Sequence, residues 1–300
     1  MITLRRAVMV LLAAVTLNAA AQDFQQQVAD MQAAGRLQRT EALFLRALHV
    51  IDPGSLPADV QVRDELPVKS ATGLSYSIKA LEREFTPLQR EKLTPFLSRP
   101  DLRYSVVSPS GLFRIHYNTE GQHAIPGGDA DKSGVPDWAE EVAAVFDEVY
   151  EQEVEELGLN PPPPDNGRDG PEWDIFIKNL PNVYGWTNFE DNISMNPERW
   201  TSYMEIDNDY THTPTRGMDG VRVTAAHEFF HMIQLGYIAR DEDGDKSLDD
   251  IFLMEAGSTW MEDAVYDGIN DYLYYLNSFF LTEDVPFDHS AGLHMYGLCL

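Results

Sequence analysis

The stretch Ala225-Ala226-His227-Glu228-Phe229-Phe230-His231-Met232-Ile233 constrains this chain more than any other. Its apolar residues assign it to a core, yet it carries three ionisable side chains. On a helix, positions i and i+4 lie one above the other, so His227 and His231 share a face and Glu228 projects beside them. Burying His, Glu and His together costs free energy unless a partner offsets it. Two histidines at this spacing can both reach one Zn²⁺, leaving the intervening glutamate to act as general base on water. The competing reading is a core helix with two satisfied histidines. With only eight histidines in 300 residues, a chance H-E-x-x-H is rare.

A catalytic zinc takes three protein ligands and keeps a fourth position open. The one cysteine, Cys299, excludes an intramolecular disulfide and a cysteine cluster, so the ligands must be His, Asp or Glu. Glu255 stands in FLMEAGSTWMED (252–263), which reads as a second helix capped by Asp249 or Asp250. Glu255, Thr259, Glu262 and Tyr266 follow the spacing i, i+4, i+7 and i+11, one polar stripe among Phe, Leu, Met and Trp. Such a stripe either meets partners inside the protein or is the solvent face of an amphipathic helix. Glu255 is the leading third ligand, and His294 and Glu262 are its rivals. Thr259 and Glu262 read as residues that orient the histidines. Tyr266, His294 and Tyr296 are candidate donors to a developing oxyanion.

The segments AHEFFHMIQLGY (226–237) and MEAGSTWMEDAVYD (254–267) resemble the gluzincin-type zinc metallopeptidases, and more closely a group of secreted bacterial metalloproteases first noted in myxobacteria. The likeness extends through FRIHYNTEGQHAIP (113–126), GVPDWAEEVAAVFDEVY (134–150) and SYMEIDNDY (202–210), roughly the last two-thirds of the chain. The resemblance implies a zincin-like fold, hydrolysis of peptide bonds and Glu255 as third zinc ligand. In that chemistry Glu228 takes a proton from water and passes it to the leaving amine.

Residues 129–140, DADKSGVPDWAE, present a second metal pattern. Oxygen donors Asp129, Asp131, Ser133, Asp137 and Glu140 fall at loop positions 1, 3, 5, 9 and 12, with Gly134 at 6 and the Val135 carbonyl at 7. That is the order of an EF-hand-type calcium loop, here in a structural role. A turn followed by a capping box, with Asp137 as N-cap and Glu140 at N3, accounts for two of the acids and leaves Asp129 and Asp131 unexplained. The acidic run 241–245 lacks the position-6 glycine and reads as a solvated loop.

Export fits this chemistry. Arg5 and Arg6, a charge-free apolar run over 7–17, and Ala19-Ala20-Ala21 form the layout of a signal peptide cleaved after Ala21. The run is shorter than the ~20 residues a membrane span needs, and no later segment reaches that length. The expected product is secreted, extracellular or periplasmic. Cleavage takes the net charge from -27 to -29, a balance that repels nucleic acid and anionic lipid and attracts divalent cations. With 43% hydrophobic residues the chain has ample material for a core.

Residues 22–109 read as a helical N-terminal region, either a pro-segment or a brace. Residues 110–300 read as an α+β, zincin-like domain with a small sheet, an active-site helix and a helical C-terminal part. In it, strands are expected at 112–117, 173–177 and 202–206, with a long helix over 136–157 closed by the proline run 161–164. The apolar finish at 296–300 resembles a helix interior, so the domain is expected to continue beyond it. Two other functions fit the same residues: a non-catalytic secreted metal-binding surface or adhesion protein, and a zinc hydrolase of non-peptide substrates.

Overall fold

The computed structural model describes residues 24–58, 60, 66–195, 197–237, 251–280 and 296. The expected signal segment, the acidic run 241–245, both cap candidates Asp249 and Asp250, His294 and Cys299 lie outside the described residues. The described chain is mixed α/β.

Two helices open it, α1 (Phe24–Ala33) and α2 (Arg39–Ile51). Between them Gly35 takes φ +70°, a left-handed stop that costs glycine little. A three-residue strand β1 (Val68–Ser70) leads into α3 (Thr72–Ala80), followed by the short helices α4 (Pro87–Lys92) and α5 (Thr94–Leu97). Helix α3 is followed by a 3₁₀ turn at Glu82–Glu84. Thr86 then caps α4 by accepting from the Gln89 amide, with Pro87 in the first turn. Strands β2 (Tyr104–Val107) and β3 (Phe113–Tyr117) precede α6 (Asp137–Tyr150), which runs on as a π-helical turn at Glu151–Glu156. Next come β4 (Trp173–Lys178), β5 (Val183–Met195), β6 (Glu198–Asp207), α7 (Gly217–Tyr237), α8 (Ile251–Val265) and α9 (Leu276–Phe280).

All six strands form one sheet in the order β1-β5-β6-β4-β3-β2. β3, β4 and β6 run parallel, β5 pairs antiparallel with β6, and β1 adds to the far edge of β5 in parallel, Val68 opposite Val183 and Ser70 opposite Gly185. β4 shows the period of two that a sheet imposes. Ile175 and Ile177 face the helices, whereas Phe176 turns the other way and stacks on His116 at 4.3 Å.

Two cores hold the sheet. The larger lies between the strands and helices α6 and α7, where Phe113 meets Phe146 and Phe229 with ring centroids 5.4 and 5.5 Å apart. The smaller lies between the β1-β5 edge and the N-terminal helices, joining Leu43, Ala47, Ile78, Phe96 and Trp186. Strand β5 approaches α7 at Gly185, where a Cβ would stand 2.8 Å from the Glu205 carbonyl and 2.9 Å from Thr224 Cγ2. Only glycine fits this contact, and it sets the depth at which α7 lies under the sheet. No helix among the described residues is long and apolar enough to cross a membrane.

Candidate metal centre

Helix α7 carries His227, Glu228 and His231, all buried. Helix α8 packs across it and is inside out. Leu253 and Trp260 are 59% and 46% exposed, while Glu255, Thr259 and Glu262 are 0–2% exposed. The polar stripe therefore faces the protein and not solvent. Gly257 lets the helices close, since a Cβ there would lie 3.2 Å from Phe230 Cε1.

The imidazoles converge through their Nε2 atoms, which stand 3.2 Å apart with the ring planes at 74°. Glu255 Oε2 lies 3.0 Å from His227 Nε2 and 3.5 Å from His231 Nε2. The opposite nitrogens are engaged by other groups. His227 Nδ1 is 2.8 Å from Glu262 Oε1, and His231 Nδ1 is 2.8 Å from Gln234 Oε1 and 3.2 Å from Ser258 Oγ. A carboxylate or amide oxygen can only accept, so each Nδ1 bears a proton and each Nε2 is left facing Glu255, where it can donate a second proton or, once deprotonated, offer a lone pair. With both Nε2 atoms deprotonated, three acceptor atoms face one point, an arrangement that needs a positive charge among them, either a proton on His227 Nε2 or a metal in its place. This donor set fits a divalent metal with nitrogen and oxygen ligands.

The electrostatics agree. Burial pushes the His227 pKa down, but its hydrogen bonds and charge interactions with Glu255 and Glu262 prevail and hold it up to about 10. Burial raises the Glu255 pKa, and the charge and hydrogen bonds of His231 and His227 bring it down to about 2. The pocket stabilises a cation.

Glu228 stands beside the three acceptors and is not one of them. Its Oε2 lies 2.9 Å from Thr72 Oγ1 and 3.0 Å from Thr187 Oγ1, while Oε1 is buried without a hydrogen-bond partner. Burial raises its pKa, opposed by the charge of His231 and His227.

A further ring of contacts involves residues that the sequence did not single out. Lys69 on β1 pairs with Glu262 and, at 2.6 Å, with Asp271, which also accepts from Tyr184 at 2.9 Å. Burial pulls the Lys69 pKa down, yet Asp271 and Glu262 together raise it. No motif marks Lys69, because its partners lie nearly 200 residues further along the chain.

Of the three candidate oxyanion donors, Tyr266 turns away and donates to Glu148 Oε2 at 3.1 Å, on α6. Tyr296 lies close, its ring centroid 6.4 Å from that of His227 and its hydroxyl 3.1 Å from the Ser70 carbonyl. His294 is outside the described residues.

In the loop before α6, single carboxylate oxygens of Asp129, Asp131 and Asp137 lie within 4.8 Å of one another. Gly134 takes φ +87°, and its amide donates to Asp129 Oδ2 at 3.1 Å, while the Ser133 amide donates to Asp131 Oδ1 at 3.0 Å. Ser133 Oγ donates to the Val135 carbonyl at 3.2 Å. Pro136 is the N-cap of α6 and Asp137 its first residue, so the capping-box alternative does not form. Asp137 instead accepts from the Ala130 amide at 3.0 Å, and Glu140 does not join the three-acid cluster.

Comparison with protein-family models, curated proteins and solved structures finds no match. The case for function therefore rests on the geometry of the site and the sequence motifs.

Proposed function

We propose that the chain is a secreted zinc-dependent endopeptidase of the gluzincin type, with a zincin-like fold, in which His227, His231 and Glu255 hold the metal and Glu228 is the general base. The observation that carries this reading is the convergence of the two Nε2 atoms on Glu255 Oε2, brought in by the buried polar stripe of α8. Export rests on the composition of residues 1–21.

A zinc ion held there supplies Lewis acidity, acidifying water and polarising a scissile carbonyl. The remaining work belongs to the chain. Glu262, Gln234 and Ser258 fix the tautomer and plane of the imidazoles by engaging each Nδ1. Glu228 Oε1 is the unpartnered oxygen, so it is the atom that takes the proton from water, and burial keeps that carboxylate basic enough to do so. Tyr296 is the nearer of the two described oxyanion donors.

The test compares wild type, Glu228→Gln and Glu255→Ala on denatured casein, with zinc measured by elemental analysis. Wild type is expected to hold zinc and to lose cleavage on chelation. Glu228→Gln keeps its zinc and loses about 10²–10⁴ in rate, whereas Glu255→Ala loses zinc. Undiminished activity in Glu228→Gln, or undiminished zinc in Glu255→Ala, would overturn the assignment.

The loop of Asp129, Asp131 and Asp137, with Ser133 Oγ and the Val135 carbonyl alongside, is assigned to a structural Ca²⁺. Millimolar calcium is expected to raise Tm by a few degrees in wild type and not in Asp131→Asn. An equal rise in both would remove the calcium reading.

A further inference from the structure

We propose that residues 66–72 form an inhibitory strap over the metal centre, and that the chain becomes a working peptidase when this strap leaves the edge of β5. The proposal rests on the zinc-peptidase reading above and concerns its regulation.

Three closely spaced residues of the strap each engage a different working group. Lys69 binds Glu262, which orients His227. The Ser70 backbone binds the hydroxyl of Tyr296, its amide at 3.4 Å and its carbonyl at 3.1 Å. Thr72 donates to Glu228 Oε2 at 2.9 Å. A chain segment that only filled space would meet these three groups by accident. This one meets all three within four residues.

The seat of the strap explains the register. Val68 and Ala71 donate their amides to the carbonyls of Asn182 and Gly185 along the β5 edge, at 3.1 and 3.2 Å. Gly185 lies directly against Glu228, whose Cγ is 3.5 Å from the position of a Cβ there. Pairing at this edge therefore places Thr72 on the carboxylate. With the strap seated, His227, Glu228, His231 and Glu255 are each 0–2% exposed. A peptide cannot bring its carbonyl to a base in that state, so turnover requires a covering segment to move, and residues 66–72 touch Glu228 through Thr72.

The strap is also built to leave. β1 is three residues long and, among the described residues, lies at the edge of the sheet and pairs with β5 alone. It is held by the Lys69 ammonium between Glu262 and Asp271 and by Val68 and Ala71 in the smaller core, and water reaching the two carboxylates on opening replaces part of what they lose.

The test uses the full chain in three forms: wild type, Ala71→Pro, which deletes the amide bond to Gly185, and Thr72→Val, which deletes the contact with Glu228. Circular dichroism establishes that each is folded. Two readouts are taken, the rate at which EDTA strips the zinc and the rate of casein cleavage. Both variants are expected to lose zinc faster and to cleave casein faster, Thr72→Val by about ten-fold to a hundred-fold for its charge-assisted hydrogen bond and Ala71→Pro by about two-fold to ten-fold for its neutral amide bond. Wild-type stripping rates in both variants, or folded variants that keep zinc and cleave more slowly, would overturn the strap and make residues 66–72 a working part of the site. Wild type without zinc would overturn the metal centre, and the strap with it.

Discussion

Glu153 lies in the π-helical turn with 0% exposure and neither carboxylate oxygen hydrogen-bonded. Burial pushes its pKa well above the ordinary 4.5. A raised carboxyl pKa in the folded state means that the contribution of this residue to stability is intact below the unfolded value and is lost as pH rises through the folded one. Glu153→Met, close in volume and free of charge, is expected to stabilise the fold by about 1–3 kcal/mol at pH 8, with a smaller gain at pH 5. Urea unfolding at the two pH values checks it, and destabilisation at pH 8 would refute it. The residue was legible in principle, since it follows Val149 by four positions on the apolar stripe of α6. The neighbouring glutamates at 151, 155 and 156 disguise it as a solvated run. His227, Glu228 and His231 were legible for the opposite reason, because a fixed local spacing on one helix is enough to bring them together. Gln234 and Ser258 were not, because either could equally have faced solvent.

Among elements, the long helices and the strands β3, β4 and β6 are legible from their periodicity, whereas the edge strands β1 and β2 and the interior strand β5 are not. β1 has three residues, one of them a lysine, and nothing local shows that it is buried. β5 carries Thr187 and Asn188 at 0–1% exposure where an apolar run is expected of a buried strand. These polar residues are inside because their partners are Glu228 and Glu205, which arrive from α7 and β6. Helix α8 was readable as a polar stripe, but its inversion depends on α7 lying against it. The contact between β5 and α7 gives the prediction at this scale. Gly185→Val is expected to cost about 1–3 kcal/mol and to lower Tm by a few degrees, because its branches press on the Glu205 carbonyl and Thr224. It also moves Thr187 away from Glu228. An unchanged Tm would mean that the gap opens without strain.

At the scale of the molecule, strands from both the N-terminal region and the later part of the chain lie in one sheet. Arg99, between α5 and β2, binds Asp165 and Asp174 at 2.7 and 2.6 Å and reaches Glu190 on β5. This partly buried guanidinium therefore ties β4 to β5 across β6, and no sequence pattern announces it. The acidic balance that did announce itself acts elsewhere, on the exposed surface and in the carboxylates that surround the candidate metal sites.

The parallel pairing of β1 with β5 also sets a sequence of events in time. β5 and β6 are neighbours in the chain and zip together as a hairpin, whereas Val68 must find Val183 across more than a hundred residues. Local pairings form before distant ones because loop closure costs entropy first. On the proposed zinc reading, the pocket would then be complete before its cover pairs, and the ion would enter while the chain folds. Unfolded protein diluted into zinc-containing buffer is expected to trap the ion as it folds. Protein refolded first and given zinc afterwards takes it up at the much slower rate of edge opening. Equal uptake on both schedules, followed with a zinc-sensitive dye, would show that the cover does not close last.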